Sequence, residues 1–85
     1  MKSLINLKKK GYKIDINWQD LKKKSIFFLN TNNKINFINF QKKAIEKNCS
    51  YIICSKKYRN EKNSGLIYFY FKDKKELYKI AKLFF

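Results

Sequence analysis

Apolar and polar positions divide the chain into short segments, some with the period of a strand and some with the period of a helix. Residues 12–16 alternate polar and apolar, which predicts a half-buried strand. Residues 25–29, 51–54 and 66–71 are almost continuous apolar runs, typical of strands that are buried on both faces. The run 66–71 is the longest of these, and it predicts the strongest strand in the chain.

A central helix is predicted by apolar residues spaced i, i+3, i+7 and i+8: Phe37, Phe40, Ala44 and Ile45. Asn36 is expected to be its N-cap, because an Asn side chain accepts the hydrogen bonds of free N–H groups. Asn48 is expected to end the helix in the left-handed conformation. Residues 20–24 are predicted to form a turn, and residues 30–34 and 55–65 polar loops.

Two further helices are predicted at the two ends of the chain. Ser3 is the expected N-cap of the first, and Gly11 its expected C-terminal residue. Asp73 and Glu76 have the spacing of a capping box. They open a helix that places four apolar residues on one face: Leu77, Ile80, Ala81 and Phe84.

The predicted order of elements is therefore α-β-β-α-β-β-α in a single domain of residues 1–85. The segment 25–54 has the length of a crossover between two parallel strands. Apolar strands alternating with helices predict an α/β fold: a small mixed, largely parallel sheet of about four strands with helices packed on it.

The composition complicates any interpretation of the charge. Lys and Arg number 21 against six Asp and Glu, a net charge of +15, which ordinarily indicates nucleic acid or an anionic surface. However, Lys, Asn, Ile, Phe and Tyr make up 55 of the 85 residues, and these are the residues of A/T-rich codons. The single Arg also counts against selection for phosphate, which Arg binds in a bidentate manner. Mutational drift is thus the favoured source of the charge.

The sequence lacks the residues that zinc binding, His-dependent catalysis and phosphate-binding loops require. The chain has no His, and its two Cys are too few for a zinc site, so no metal ligands and no catalytic residues are predicted. Cys49 and Cys54 are interpreted as buried thiols of a cytoplasmic protein. Gly11 and Gly65 are isolated, so no phosphate-binding loop is present. The aromatic run 68–71 fits a hydrophobic core better than a stacking platform for bases.

The order and spacing of four segments resemble the N-terminal domain of the Mur ligases, and most closely that of the UDP-N-acetylmuramoyl-tripeptide synthetases. Ile26-Phe27-Phe28 matches the family's Gly-Asp-(Ile/Leu)-Phe-Phe strand, and Ala44-Ile45 matches the Ala-Ile of its helix. Residues 51–54 match the next strand, and residues 66–85 match the last strand and helix. The resemblance covers essentially the whole chain and implies the fold described above.

The resemblance implies a domain that docks a UDP-muramoyl-peptide during peptidoglycan synthesis. The family's Asp-Ser-Arg turn, which helps to hold the uridine nucleotide, falls on Asn17-Trp18-Gln19, and its Asp-Gly falls on Asn36-Phe37. None of those family residues is kept. By position, the expected substrate-binding residues are Asn17, Trp18, Gln19, Asn30, Thr31, Asn33, Lys34 and Asn36, with Lys34 facing the diphosphate.

The resemblance places the catalytic machinery outside these residues. ATP and Mg²⁺ would bind a further domain, which a second chain could carry. The chain would be a fragment, one half of a split enzyme or a degenerate remnant, and alone it is expected to have no ligase or ATPase activity. No membrane-spanning segment is predicted, and a cytoplasmic location is expected. The alternative interpretation is a small basic nucleic-acid-binding protein. It requires the Lys residues to lie on one face.

Overall fold

The computed structural model describes residues 2–85, which form helices and strands in the predicted order. Two 3₁₀ segments, Trp18–Asp20 and Lys56–Glu61, lie between strands. The main elements are α1 (Lys2–Lys9), β1 (Lys13–Asp15), β2 (Ser25–Phe28), α2 (Lys34–Glu46), β3 (Tyr51–Ser55), β4 (Ile67–Phe71) and α3 (Lys74–Phe84).

The four strands form one sheet in the order β1-β2-β3-β4, and all three pairings are parallel. Ile26 of β2 lies beside Ile14 of β1, and Phe27 lies beside Ile52 of β3. The predicted α/β class is confirmed, as is the parallel crossover through α2. The described strands include no antiparallel pair, so the sheet is parallel throughout rather than mixed.

The two faces of the sheet carry separate apolar clusters. Residues such as Phe27 and Ile52 point toward α2 and the 3₁₀ segments, whereas Ile26 and Ile53 point toward α1 and α3. This alternation follows from the two-residue period of a strand. Because both faces are covered, β2 and β3 are continuously apolar, as their sequences predicted.

Several predicted helix ends are confirmed by backbone conformation. Gly11 and Asn48 have φ angles of 90° and 62°, and each follows a helix C-terminus. Asp73 caps α3 by accepting a hydrogen bond from the Glu76 N–H at 3.0 Å. The Glu76 carboxylate reaches back to the N–H of Lys72 at 2.8 Å, which completes a capping box shifted by one residue.

Two predicted N-caps are wrong by a few residues. The cap of α2 is Asn33, whose side chain accepts from the N–H of Asn36 at 3.0 Å. Asn36 therefore lies inside the first turn, and Lys34 is helical rather than part of the loop. Ser3 lies within α1, which already includes Lys2. The sequence has several Asn residues close together, and the direction in which the chain leaves β2 determines which of them is the N-cap of α2.

Two segments that were predicted to be buried are partly exposed in the structure. Ile45 is 41% exposed, and the buried position of that turn is taken by Gln41 instead. The run 66–71 does not form a central strand, because β4 is the edge of the sheet and its residues are exposed or half-buried. Its apolar side chains still pack on the two clusters.

None of the helices within residues 2–85 has both the length and the apolar character that a bilayer crossing requires.

Candidate ligand site at the carboxyl edge of the sheet

The carboxyl ends of all four parallel strands meet at one edge of the sheet, where open α/β sheets bind their ligands. A cavity of about 470 Å³ opens at the ends of β1 and β2. It is lined by Ile16, Asn17, Trp18, Gln19, Phe27, Phe28, Leu29, Asn30 and Phe40.

Four of the residues predicted from the sequence line this one cavity: Asn17, Trp18, Gln19 and Asn30. They come from the segment after β1 and the loop after β2. These segments meet because β1 and β2 are adjacent and parallel, so both chains leave the sheet at the same edge. Trp18 is half-buried, whereas the other three of these predicted residues are exposed: Asn17, Gln19 and Asn30.

The other four predicted residues lie outside the cavity lining. Asn33 caps α2, and Asn36 is exposed in the first turn of that helix. Lys34 forms an ion pair with Glu61 at 3.2 Å, and its contact with a diphosphate stays a prediction. The carbonyl of Thr31 accepts a hydrogen bond from the Tyr58 hydroxyl at 2.6 Å.

Trp18 connects the cavity to a positive surface that sequence reasoning missed. The Lys43 ammonium lies 4.8 Å from the centroid of the indole ring, and that of Lys47 lies 5.9 Å away. Both distances are within the range of cation–π attraction. Lys43 and Lys47 are four residues apart, a spacing that predicts only that their side chains lie on the same side of the helix. The pairing with Trp18 depends on the packing of the 3₁₀ segment against α2.

The lining suits a flat ligand with a polar rim. Phe27, Phe28 and Phe40 supply aromatic walls, and the amides supply both donors and acceptors. The residues that line the cavity carry aromatic, aliphatic and amide side chains. The arrangement can therefore bind and orient a ligand.

The described residues do not fit an ATP or Mg²⁺ site. Gly11 follows α1 and Gly65 precedes β4, so neither lies in a phosphate-binding loop. Among residues 2–85, no three His, Cys, Asp or Glu side chains are grouped so that they could hold a metal ion.

The two cysteines are free and buried. Burial raises the pKa of the Cys54 thiol to about 12. Burial also raises the pKa of the Cys49 thiol, although hydrogen bonds to the backbone partly oppose that shift. A raised pKa keeps a thiol protonated, and the protonated form is a poor nucleophile and a poor metal ligand. Both residues belong to the core.

Comparison of the chain with protein-family models, with curated proteins and with solved structures found no match.

Proposed function

We propose that this chain is a ligand-docking domain of the Mur-ligase N-terminal type, whose cavity at the carboxyl edge receives the uridine nucleotide of a UDP-muramoyl-peptide. One observation carries the proposal. Residues 17–19 and Asn30, which belong to the two segments expected to bind substrate, line the same cavity. They are ten or more positions apart in the chain, and only the parallel pairing of β1 with β2 joins them.

The cavity chemistry supports a nucleotide more than a peptide or a sugar alone. A planar base can lie between aromatic walls while amide groups contact its polar edge. Lys43 and Lys47 lie beside Trp18 and supply positive charge for a diphosphate. They take the role that the sequence had assigned to Lys34.

The test uses Trp18, the one Trp of the chain, as a fluorescent reporter within the cavity. Titration with UDP should change its emission in a saturable manner. Asn30→Ala should weaken UDP binding about 2- to 10-fold, since one hydrogen bond contributes about 0.5–1.5 kcal/mol. Asn32→Ala is the matched control. It lies in the same loop, outside the cavity lining, and its side chain bonds only to Lys57 on the exposed surface.

Inorganic pyrophosphate separates specific docking from simple attraction to a basic protein. It carries the charge of the diphosphate without the nucleoside, so it should bind more weakly than UDP and ignore Asn30→Ala. The proposal fails if UDP gives no saturable signal at millimolar concentration, or if pyrophosphate and UDP bind equally in both variants. In this proposal ATP and Mg²⁺ bind a second chain, and the purified domain alone should release no phosphate from ATP.

A second candidate function, weak nucleic-acid binding, has an observation of its own. Two Lys runs that are distant in the sequence meet at the amino edge of the sheet, where the Lys24 ammonium donates to the Lys10 carbonyl at 3.0 Å. Lys13, Lys22, Lys24 and Lys47 line a depression there, together with Asp15 and Asp20. However, α1 and α2 both end at this edge, so lysines there also neutralise helix carbonyl ends.

Salt dependence tests this candidate. Log affinity for a duplex should fall with log salt at about −0.9 per phosphate contact, without preference for one sequence. The Lys22→Gln and Lys24→Gln double variant should reduce the slope by about two, whereas Lys74→Gln with Lys75→Gln, at the opposite edge, should leave it unchanged. Nanomolar, sequence-selective binding at physiological salt would replace the docking proposal with this one.

A further inference from the structure

The loop that follows β2 is held by the 3₁₀ segment Lys56–Glu61, which lies between β3 and β4. Three side chains of this segment contact three residues between β2 and the first turn of α2: Tyr58 contacts Thr31, Lys57 contacts Asn32, and Glu61 contacts Lys34. The loop begins at Asn30, which lines the ligand cavity. None of the six residues of the 3₁₀ segment belongs to that lining, so the segment supports the cavity from behind.

The three contacts differ in burial. Tyr58 is 6% exposed, and its hydroxyl donates to the Thr31 carbonyl at 2.6 Å. Its ring packs on Phe37 of α2, so the hydroxyl is held by the core of the protein. The contacts of Lys57 and of Lys34 are made by exposed side chains, where a polar pair contributes little. Tyr58 is therefore the residue of the segment that fixes the loop most firmly.

The loop is also joined to α2 by hydrogen bonds of its own. The Asn33 N–H donates to the Thr31 hydroxyl at 3.2 Å, and the Asn33 side chain accepts from the Asn36 N–H. Thr31, Asn33, Lys34 and Asn36 are the four predicted binding residues that lie outside the cavity lining. In the structure they bond to one another or to the 3₁₀ segment, and they connect Asn30 to elements that are fixed by the core.

We propose that Tyr58 is a positioning residue of the ligand site: by holding the Thr31 carbonyl, it fixes the neighbouring Asn30 in the arrangement that contacts a nucleotide. This role rests on the proposed function, because the ligand is the uridine nucleotide of the carboxyl-edge cavity. A loop that takes several arrangements binds with an affinity reduced by the fraction of the chain in the competent one. Loss of the hydroxyl therefore weakens binding although Tyr58 lies outside the cavity lining. Because such coupling is reciprocal, a bound nucleotide also stabilises the 3₁₀ segment.

The experiment compares UDP titrations of the original chain and of Tyr58→Phe, followed by the emission of Trp18. This variant keeps the ring that packs on Phe37 and removes only the hydroxyl. UDP should bind about 2- to 10-fold more weakly, the usual effect of one hydrogen bond. Combining Tyr58→Phe with Asn30→Ala shows whether Tyr58 acts through Asn30. The double variant should bind UDP within about twofold of Asn30→Ala alone, whereas independent effects would multiply.

Ile80→Val is the control for a general loss of stability. Ile80 is buried on the opposite face of the sheet, between α1 and α3, and shortening it costs about as much stability as losing one hydrogen bond. This variant should bind UDP within about twofold of the original chain. Tryptic digestion gives a second readout, because Lys57 and Arg59 are exposed cleavage sites beside Tyr58. Saturating UDP should slow cleavage after both residues, and should slow it less in Tyr58→Phe.

Two kinds of negative result are distinguishable. If UDP gives no saturable signal with the original chain, the docking function fails and the role of Tyr58 fails with it. If the original chain binds UDP, only the role of Tyr58 is overturned by any of three results. Tyr58→Phe binds UDP as tightly as the original chain or no more weakly than Ile80→Val; the losses from Tyr58→Phe and Asn30→Ala multiply; or UDP leaves tryptic cleavage after Lys57 and Arg59 unchanged.

Discussion

At the residue scale, Phe37 and Phe40 are two aromatic residues of one helix that differ in burial and in the groups they contact. Phe37 is fully buried and packs on the Tyr58 ring at 4.2 Å between centroids. Phe40 is half-buried, meets Phe27 edge to face at 6.5 Å, and lines the ligand cavity. The helical period indicated that both face the sheet, but it did not distinguish the core side chain from the one at the cavity.

The first prediction follows from this difference in burial. Phe37→Ala should lower the free energy of unfolding by about 3–5 kcal/mol, the usual cost of removing a fully buried ring. Phe40→Ala should cost less, about 1–3 kcal/mol, because solvent already reaches part of its surface. Both values come from denaturant titrations of the two variants. Equal losses would mean that Phe40 is a core residue and that the cavity is closed in solution.

At the element scale, one hydrogen-bond network joins α2, β4 and the segment between β3 and β4. The Tyr68 hydroxyl donates to the side-chain oxygen of Gln41, and the Asn63 N–H donates to that hydroxyl at 2.6 Å. The Gln41 amide donates to the carbonyl of Glu61 at 3.1 Å. Gln41 is 3% exposed, so a buried amide is satisfied by groups from two other elements.

The second prediction compares the two tyrosines of β4. Tyr68→Phe leaves the buried oxygen of Gln41 without its donor and should cost about 1–3 kcal/mol. Tyr70→Phe is the matched control. Its ring stacks on Tyr68 at 5.6 Å, but its buried hydroxyl has no hydrogen-bond partner among the described residues. Removing that hydroxyl should be neutral or slightly stabilising. Unfolding titrations check both, and the reverse order would show that the network is not formed in solution.

At the scale of the whole molecule, groups from β3, from β4 and from the loop between α2 and β3 share a response to alkaline pH. Burial is the main reason why four groups have a raised pKa: the thiols of Cys49 and Cys54, and the hydroxyls of Tyr68 and Tyr70. In the unfolded chain each of these groups loses its proton at a lower pH. Their contribution to stability is therefore complete below about pH 8.5, and it decreases as the pH rises toward about 12.

The third prediction isolates Cys54, which is completely buried. Its pKa rises from 9.0 to about 12, so between pH 7 and pH 10.5 it should remove about 2 kcal/mol of stability. Other groups, including the lysines, also titrate in this range, so the measurement is a difference. The pH dependence of unfolding in Cys54→Ala should be flatter than in the original chain by about that amount. Parallel curves would show that the thiol is not desolvated in the folded state.

The sequence by itself determined the order of elements, the α/β class and the parallel crossover through α2. These depend on period and on local chemistry: apolar runs form strands, and Asn48, Gly11 and Asp73 end or begin helices by backbone preference. Of the eight residues expected to bind substrate, Asn17, Trp18, Gln19 and Asn30 line one cavity, and their binding of a nucleotide stays a prediction.

Only the tertiary structure decided which strand lies at the edge, because an edge strand and a central strand can carry the same apolar run. It also decided that Gln41 rather than Ile45 is buried, since a polar side chain enters a core only where partners from other elements satisfy it. The same holds for Lys43 beside Trp18, and for Ile14 of β1 and Ile80 of α3, which line one groove. Each joins residues distant in the chain, and no local pattern encodes their contact.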